Sequence, residues 1–127
     1  IKKYNTYDSS SLENLINKSF IRNVQKKSLY AQIIEISFRD MKSYSDLIKN
    51  SLDPDVILLV SKDDSKVSIL VSLKNTKNVK NNAIEIVKSL VPIVGGKGGG
   101  GRPELAQGGG PNKLGIKDVM SEIDKLI

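Results

Sequence analysis

The sequence predicts an α/β fold: a central mixed β-sheet with flanking helices and a glycine-rich loop, preceded by an N-terminal helix. Three observations carry this. Helical and strand-like hydrophobic patterns alternate along most of the 127 residues. Two apolar runs, residues 56–60 and 66–73, stand on either side of a short polar turn, as the strands of a hairpin do. Between the last two helical patterns lies a stretch, residues 95–110, in which nine of sixteen residues are glycine.

Taken in order, residues 1–8 are polar, with Tyr4 and Tyr7, and read as an irregular lead-in. Over residues 9–27, Leu12, Leu15, Ile16, Phe20 and Val24 recur at three- and four-residue steps, which predicts one apolar helix face. Asp8 or Ser9 caps this helix, and Ser10 with Glu13 offers a capping box as a second option. The stripe needs a partner: either the domain's own sheet or a second helix in a dimer. Residues 29–38 suit a strand carrying Ile33, Ile34, Ile36 and Phe38. Asp40 then caps a helix through Met41, Tyr44, Leu47, Ile48 and Leu52. Asp53-Pro54 stops it, because proline cannot continue the helical ladder and biases its predecessor away from helix.

Residues 56–60 are continuously apolar and read as a strand buried on both faces. Residues 61–66 turn, and Val67, Ile69, Val71 and Leu73 alternate on the returning strand. Residues 74–80, with Lys77 and Lys80, form a basic surface loop. Asn81 or Asn82 caps a helix over 83–91, which Pro92 ends or kinks. After the glycine run and a turn at 111–113, Leu114 or Ile116 opens a last helix. It places Ile116, Val119, Met120, Ile123, Leu126 and Ile127 on one face.

Composition excludes several chemistries. With no cysteine and no histidine, the chain holds no zinc site built on those residues and no Cys–His or Ser–His–Asp catalysis. No apolar run approaches the roughly 20 residues that span a bilayer, and the expected location is cytoplasmic. A chain that starts at Ile1 rather than Met reads as part of a longer protein. The net charge of +6 is unevenly spread: residues 74–117 alone hold eight basic and two acidic side chains. Such clustering is the footprint of a polyanion binder, set against the plainer reading of a solvated lysine-rich surface.

The glycine run has two readings. One is a flexible linker. Against it, the run holds no serine, and only 17 residues follow it. The other is a backbone surface: glycines let N–H groups approach an anion closely, and Lys97 and Arg102 add charge. Arg102 offers a planar fork and Lys97 a mobile point charge, so both are candidate phosphate contacts, with Gly98, Gly99, Gly100 and Gly101 between them. Residues 106–108 suit a short edge strand from which Gln107 reaches a base edge or sugar; the plainer reading makes Gln107 a satisfied loop amide. A Walker A loop is excluded, because Gly98 stands where Ser or Thr must follow the lysine. Single-strand readers stack bases on aromatics. No aromatic lies from Leu47 onward, which favours backbone and shape recognition near the basic segment.

The run GGKGGGGRPELAQGGG resembles the signature of the C-terminal domain of alanine–tRNA ligases, a member of the DHHA1 superfamily. Four glycines separate Lys97 from Arg102 here, where many members have three. The resemblance covers about residues 29–127. It implies a non-catalytic tRNA-binding domain at 29–127, preceded over 1–28 by the end of a helical dimerisation segment. That domain is expected to hold the outer corner, or elbow, of alanine-specific tRNA and to support aminoacylation and editing by the parent enzyme. The expected tRNA surface comprises Lys77, Lys80, Lys97, the glycines at 98–101, Arg102 and Gln107. Leu12, Leu15, Ile16, Phe20 and Val24 would face the second subunit. ATP, magnesium and zinc belong to the parent enzyme and none to this chain. The alternative is the substrate domain of a DHH phosphoesterase, but those relatives carry Gly-Gly-His at the matching place, and this chain has no histidine.

Overall fold

The computed structural model describes residues 9–62 and 66–127. The expected cap at Asp8 lies outside them, as do the lead-in and the centre of the polar turn. Among the described residues, six strands form one sheet in the order β1-β2-β3-β4-β6-β5. These are β1 (Ile21–Val24), β2 (Lys27–Ile34), β3 (Val56–Lys62), β4 (Val67–Leu73), β5 (Gly99–Arg102) and β6 (Leu105–Gly110). Only β2 and β3 are parallel; every other pair is antiparallel. Helices α1 (Ser9–Glu13) and α2 (Phe38–Ser51) lie on one face, and α3 (Ala83–Leu90) and α4 (Ile116–Leu126) on the other. The mixed sheet with flanking helices is the predicted class. No helix among the described residues is long and apolar enough to cross a membrane.

Strand alternation divides the core. Val56, Leu58, Val60, Val67, Ile69 and Val71 face α3 and α4, while Ile57, Leu59 and Leu70 face α2. The continuous apolar run of β3 is thus buried on both sides, as predicted. On the α2 face a polar network sits among these hydrophobes. The Tyr30 and Tyr44 hydroxyls donate to Oε1 of Gln32 at 2.9 and 2.6 Å. The Gln32 amide donates to the Leu15 carbonyl at 3.4 Å, which ties the N-terminal segment to the sheet.

The N-terminal helix is much shorter than its periodicity suggested. It ends at Glu13; Asn17 then caps a 3-10 turn at Lys18–Phe20, and β1 follows. The five residues of the expected seam therefore share no helix face. Leu12 is buried against α2, Val24 is buried in the core of the opposite face, and Leu15 and Ile16 pack on the α2 side. The Phe20 ring lies 5.8 Å from that of Tyr30. Gln25 and Lys26, with φ of 50° and 68°, make the two-residue turn of the β1–β2 hairpin. Positive φ at both central positions matches a type I′ turn, whose twist suits a hairpin.

The strand expected over 29–38 runs instead over Lys27–Ile34. Ile33 is 44% exposed and Phe38 47%. Ser37, not Asp40, caps α2: its hydroxyl accepts from the Asp40 amide at 3.2 Å. Phe38 is thereby the first residue of a helix rather than the last of a strand. Asn82 caps α3 with a complete capping box to Glu85, and 3-10 turns at Val91–Val94 and Lys113–Gly115 lead out of α3 and into α4. Leu114 is 90% exposed, so α4 opens at Ile116.

Candidate functional site

Residues 95–98 of the glycine run are a turn and irregular backbone, and the rest is neither a linker nor a loop but a β-hairpin, β5 and β6, joined by the two-residue turn Pro103-Glu104. The stretch around Gln107, expected as an edge strand, is the inner strand β6, paired to β4 on one side; β5 forms the edge of the sheet. Two hydrogen bonds fasten the hairpin tip to the body. The Leu73 amide donates to the Glu104 carbonyl at 2.9 Å, and the Ala83 amide donates to the Pro103 carbonyl at 2.8 Å.

Packing accounts for much of the glycine. A β-carbon on Gly99 would meet Cγ1 of Val87 at 2.7 Å, and one on Gly108 would meet Cγ2 of Val91 at 2.6 Å. Helix α3 thus sits down on bare backbone. Gly101, with φ of +149°, occupies a conformation that side chains rarely adopt. Gly98 and Gly100 differ: a β-carbon on either would have nothing within 4 Å. Glycine there is not required by the fold and leaves backbone open to solvent.

The cations fall into two groups. Arg102 ends β5 at the hairpin tip, where its Nε lies 3.5 Å from Glu104 in an exposed pair that contributes little to stability. The exposed Lys77 and Lys80 sit on the loop between β4 and α3, whose two ends are tied to that same tip. Lys74 on this loop is held by Asp53 and Asp55 at 3.2 and 3.9 Å. Lys97 lies two residues before β5, at the opposite end of the edge strand. Along a nearly extended chain, Lys97 and Arg102 stand roughly 15 Å apart. They flank a glycine edge.

Gln107 faces the α2 side, since its neighbour Ala106 is buried toward α3. Its amide nitrogen is buried with no hydrogen-bond partner, so the satisfied loop amide is not what the structure holds. The Ser72 hydroxyl, also on that face, has no partner either. Farther along the same face, the strand ends of β4 and β6 and the start of α2 enclose an open cleft of about 450 Å³. Phe38, Lys66, Ser68, Pro111 and glycines 108–110 line it. Sequence reasoning assigned none of Phe38, Lys66, Ser68 or Pro111 to a site. It also placed every aromatic far from the basic segment, whereas the fold brings Phe38 beside the glycines. The signal for Phe38 was available: Ser37 and Asp40 bracket it in a helix-capping pattern.

Residues 25–127 match the DHHA1 domain family. An alanine–tRNA ligase of Ruegeria sp. (strain TM1040) is 34% identical over 102 residues, covering 80% of this chain and 12% of that protein. The alanine–tRNA ligase of Leuconostoc citreum (strain KM20) is 30% identical over 132 aligned positions, covering 100% of this chain and 15% of that protein. The chain therefore spans only a small part of the length of these relatives. Among solved structures, the C-Ala domain of Aquifex aeolicus alanyl-tRNA synthetase has a similar fold. Its TM-score is 0.73 at 24% identity, over 83% of this chain and 95% of that one.

Proposed function

The chain belongs to the DHHA1 domain family, and on that premise we propose that it is the tRNA-tethering domain of an alanine–tRNA ligase, which grips the outer corner of the folded tRNA. The observation that carries this reading is the edge strand β5. It presents glycine backbone with open space at Gly100, carries Arg102 at one end and has Lys97 just beyond the other. An edge strand offers a row of unpaired N–H and C=O groups. Cations roughly 15 Å apart along it suit two separate phosphates of a polyanion rather than a mononucleotide. Lys77 and Lys80 extend the positive surface at the hairpin tip.

The reading assigns no catalytic step to this chain. Chemistry belongs to other parts of the parent enzyme, and this domain supplies orientation and local concentration of the tRNA in the cytoplasm. Dimerisation through the stripe at Leu12, Leu15, Ile16, Phe20 and Val24 is not part of the proposal, because Leu12 and Val24 are buried in separate cores.

The experiment is a salt titration of tRNA binding by the 127-residue chain and by a Lys97→Ala/Arg102→Ala double variant. For every phosphate that the variant no longer neutralises, the slope of log affinity against log salt should fall by about one. A slope identical to that of the parent chain would move the RNA surface away from the glycine edge.

A further inference from the structure

We propose that the carboxylate of Glu104 accepts a hydrogen bond from a ribose 2′-hydroxyl beside the phosphate that Arg102 holds, and so selects RNA over DNA. The proposal rests on the RNA-binding reading above and deepens it, since backbone and positive charge alone distinguish RNA poorly from any other polyanion.

An acid is the wrong residue for a surface that only neutralises phosphates. Residues 86–117 hold five basic side chains and a single acidic one, Glu104. Going back to residue 74 adds one more acid, Glu85, and its carboxylate has a structural task. It accepts from the Asn82 amide at 2.8 Å in the capping box of α3. Glu104 has no task of that kind. Its side chain is 49% exposed and lies 3.5 Å from Nε of Arg102, whose side chain is 64% exposed. A pair so open to solvent adds little to stability. What it does is set a negative group beside a cation that the RNA reading assigns to a phosphate.

The hairpin tip fixes the backbone at this acid. Pro103 sets the backbone angle just before it. The Leu73 amide donates to the Glu104 carbonyl at 2.9 Å, and the Ala83 amide donates to the Pro103 carbonyl at 2.8 Å. An ionised carboxylate only accepts hydrogen bonds. A phosphate oxygen offers it no donor and repels it. The partner it suits is a donor set close to a phosphate. In RNA the ribose links successive phosphates, and its 2′-hydroxyl is the donor nearest to them; base edges lie farther out. A-form helices display these hydroxyls across a wide, shallow minor groove. Arg102 carries further N–H donors beyond Nε, so it holds the phosphate while Glu104 takes the hydroxyl. DNA meets the same acid with no sugar hydroxyl to offer.

The test measures binding of the 127-residue chain, Glu104→Ala and Glu104→Gln to folded tRNA and to a fully 2′-fluoro RNA of the same sequence. The fluoro form keeps the phosphates and the A-form helices and loses every 2′-hydroxyl donor. The parent chain should favour the natural RNA. Glu104→Ala should lower that preference about three- to tenfold, the size of one hydrogen bond. It should also bind the fluoro form more tightly than the parent chain does, because a repelling charge is gone. Glu104→Gln, which keeps an acceptor without the charge, should fall between the two. Thermal melts of all three should coincide, since the ion pair is exposed. An equal rise in affinity for both RNAs in Glu104→Ala would mean that Glu104 only masks Arg102. That result would overturn the hydroxyl contact and leave the tether intact, and a parent chain that holds both RNAs equally would do the same. An unchanged salt slope in the Lys97→Ala/Arg102→Ala variant would remove the glycine-edge reading, and this proposal with it.

Discussion

A β-carbon on Gly99 would lie 2.7 Å from Cγ1 of Val87, so the edge hairpin and helix α3 meet at a distance that only glycine permits. The same close approach recurs between Gly108 and Val91, while Gly100 points into open space. One run of glycines therefore serves two purposes, some residues seating a helix and others baring the backbone.

The two purposes separate by mutation. Gly99→Ala should destabilise the domain by about 1–3 kcal/mol through overpacking. Gly100→Ala should stay within about 0.5 kcal/mol of the parent, as substitutions away from packed features do. Urea unfolding of both variants measures the contrast; equal effects would mean that the seating of α3 does not select glycine.

The type I′ turn predicts a gain. Gln25 and Lys26 hold φ of 50° and 68°, a region in which non-glycine residues are strained. Lys26→Gly should raise stability by about 1 kcal/mol, visible as a higher melting temperature.

The cap of α3 should be measurable as well. Asn82 accepts from the Glu85 amide at 2.9 Å, and the Glu85 carboxylate accepts from the Asn82 amide at 2.8 Å. Asn82→Ala should lower stability by about 1 kcal/mol. Because α3 carries Val87 and leads directly into Val91, amide exchange in β5 and β6 should quicken in the same variant.

How much of this was legible in the sequence depends on whether the cause was local. Asn82 was one of two caps named for α3, and the alternation at Val67, Ile69, Val71 and Leu73 gave β4, because caps and burial patterns are local. The segment from Leu12 to Val24 misled: its spacing fits a helix, yet Asn17 starts a new turn and the β1–β2 turn uses Gln25-Lys26 rather than the glycine or asparagine that would announce it. Strand β5 was hidden, and β6 legible only as a short piece at 106–108, for another reason. Glycine has no side chain to pattern, so its pairing is decided by β4 and α3, which lie far away in sequence. The cleft at Phe38 has the same origin, since α2 and β6 meet only in the folded chain.

The buried tyrosine pair predicts an alkaline limit. Burial, and then the neighbouring Tyr30 hydroxyl, push the Tyr44 phenol well above its ordinary range. The unfolded chain releases this proton near pH 10 while the folded one keeps it, so stability should fall as pH rises above about 10. Tyr44→Phe should be less stable near neutrality, having lost a 2.6 Å bond to Gln32, but should show a shallower alkaline decline. Parallel pH profiles for the two proteins would contradict this.

The most direct test of the tether is a competition. Labelled folded tRNA bound to the chain is displaced by unlabelled folded tRNA, unfolded RNA or duplex DNA of matched charge, at near-physiological salt. The account predicts that folded tRNA displaces the label at clearly lower concentration than the other two. Equal displacement by all three would show that the domain contributes charge alone, and the reading of the glycine edge as a surface for folded RNA would be wrong.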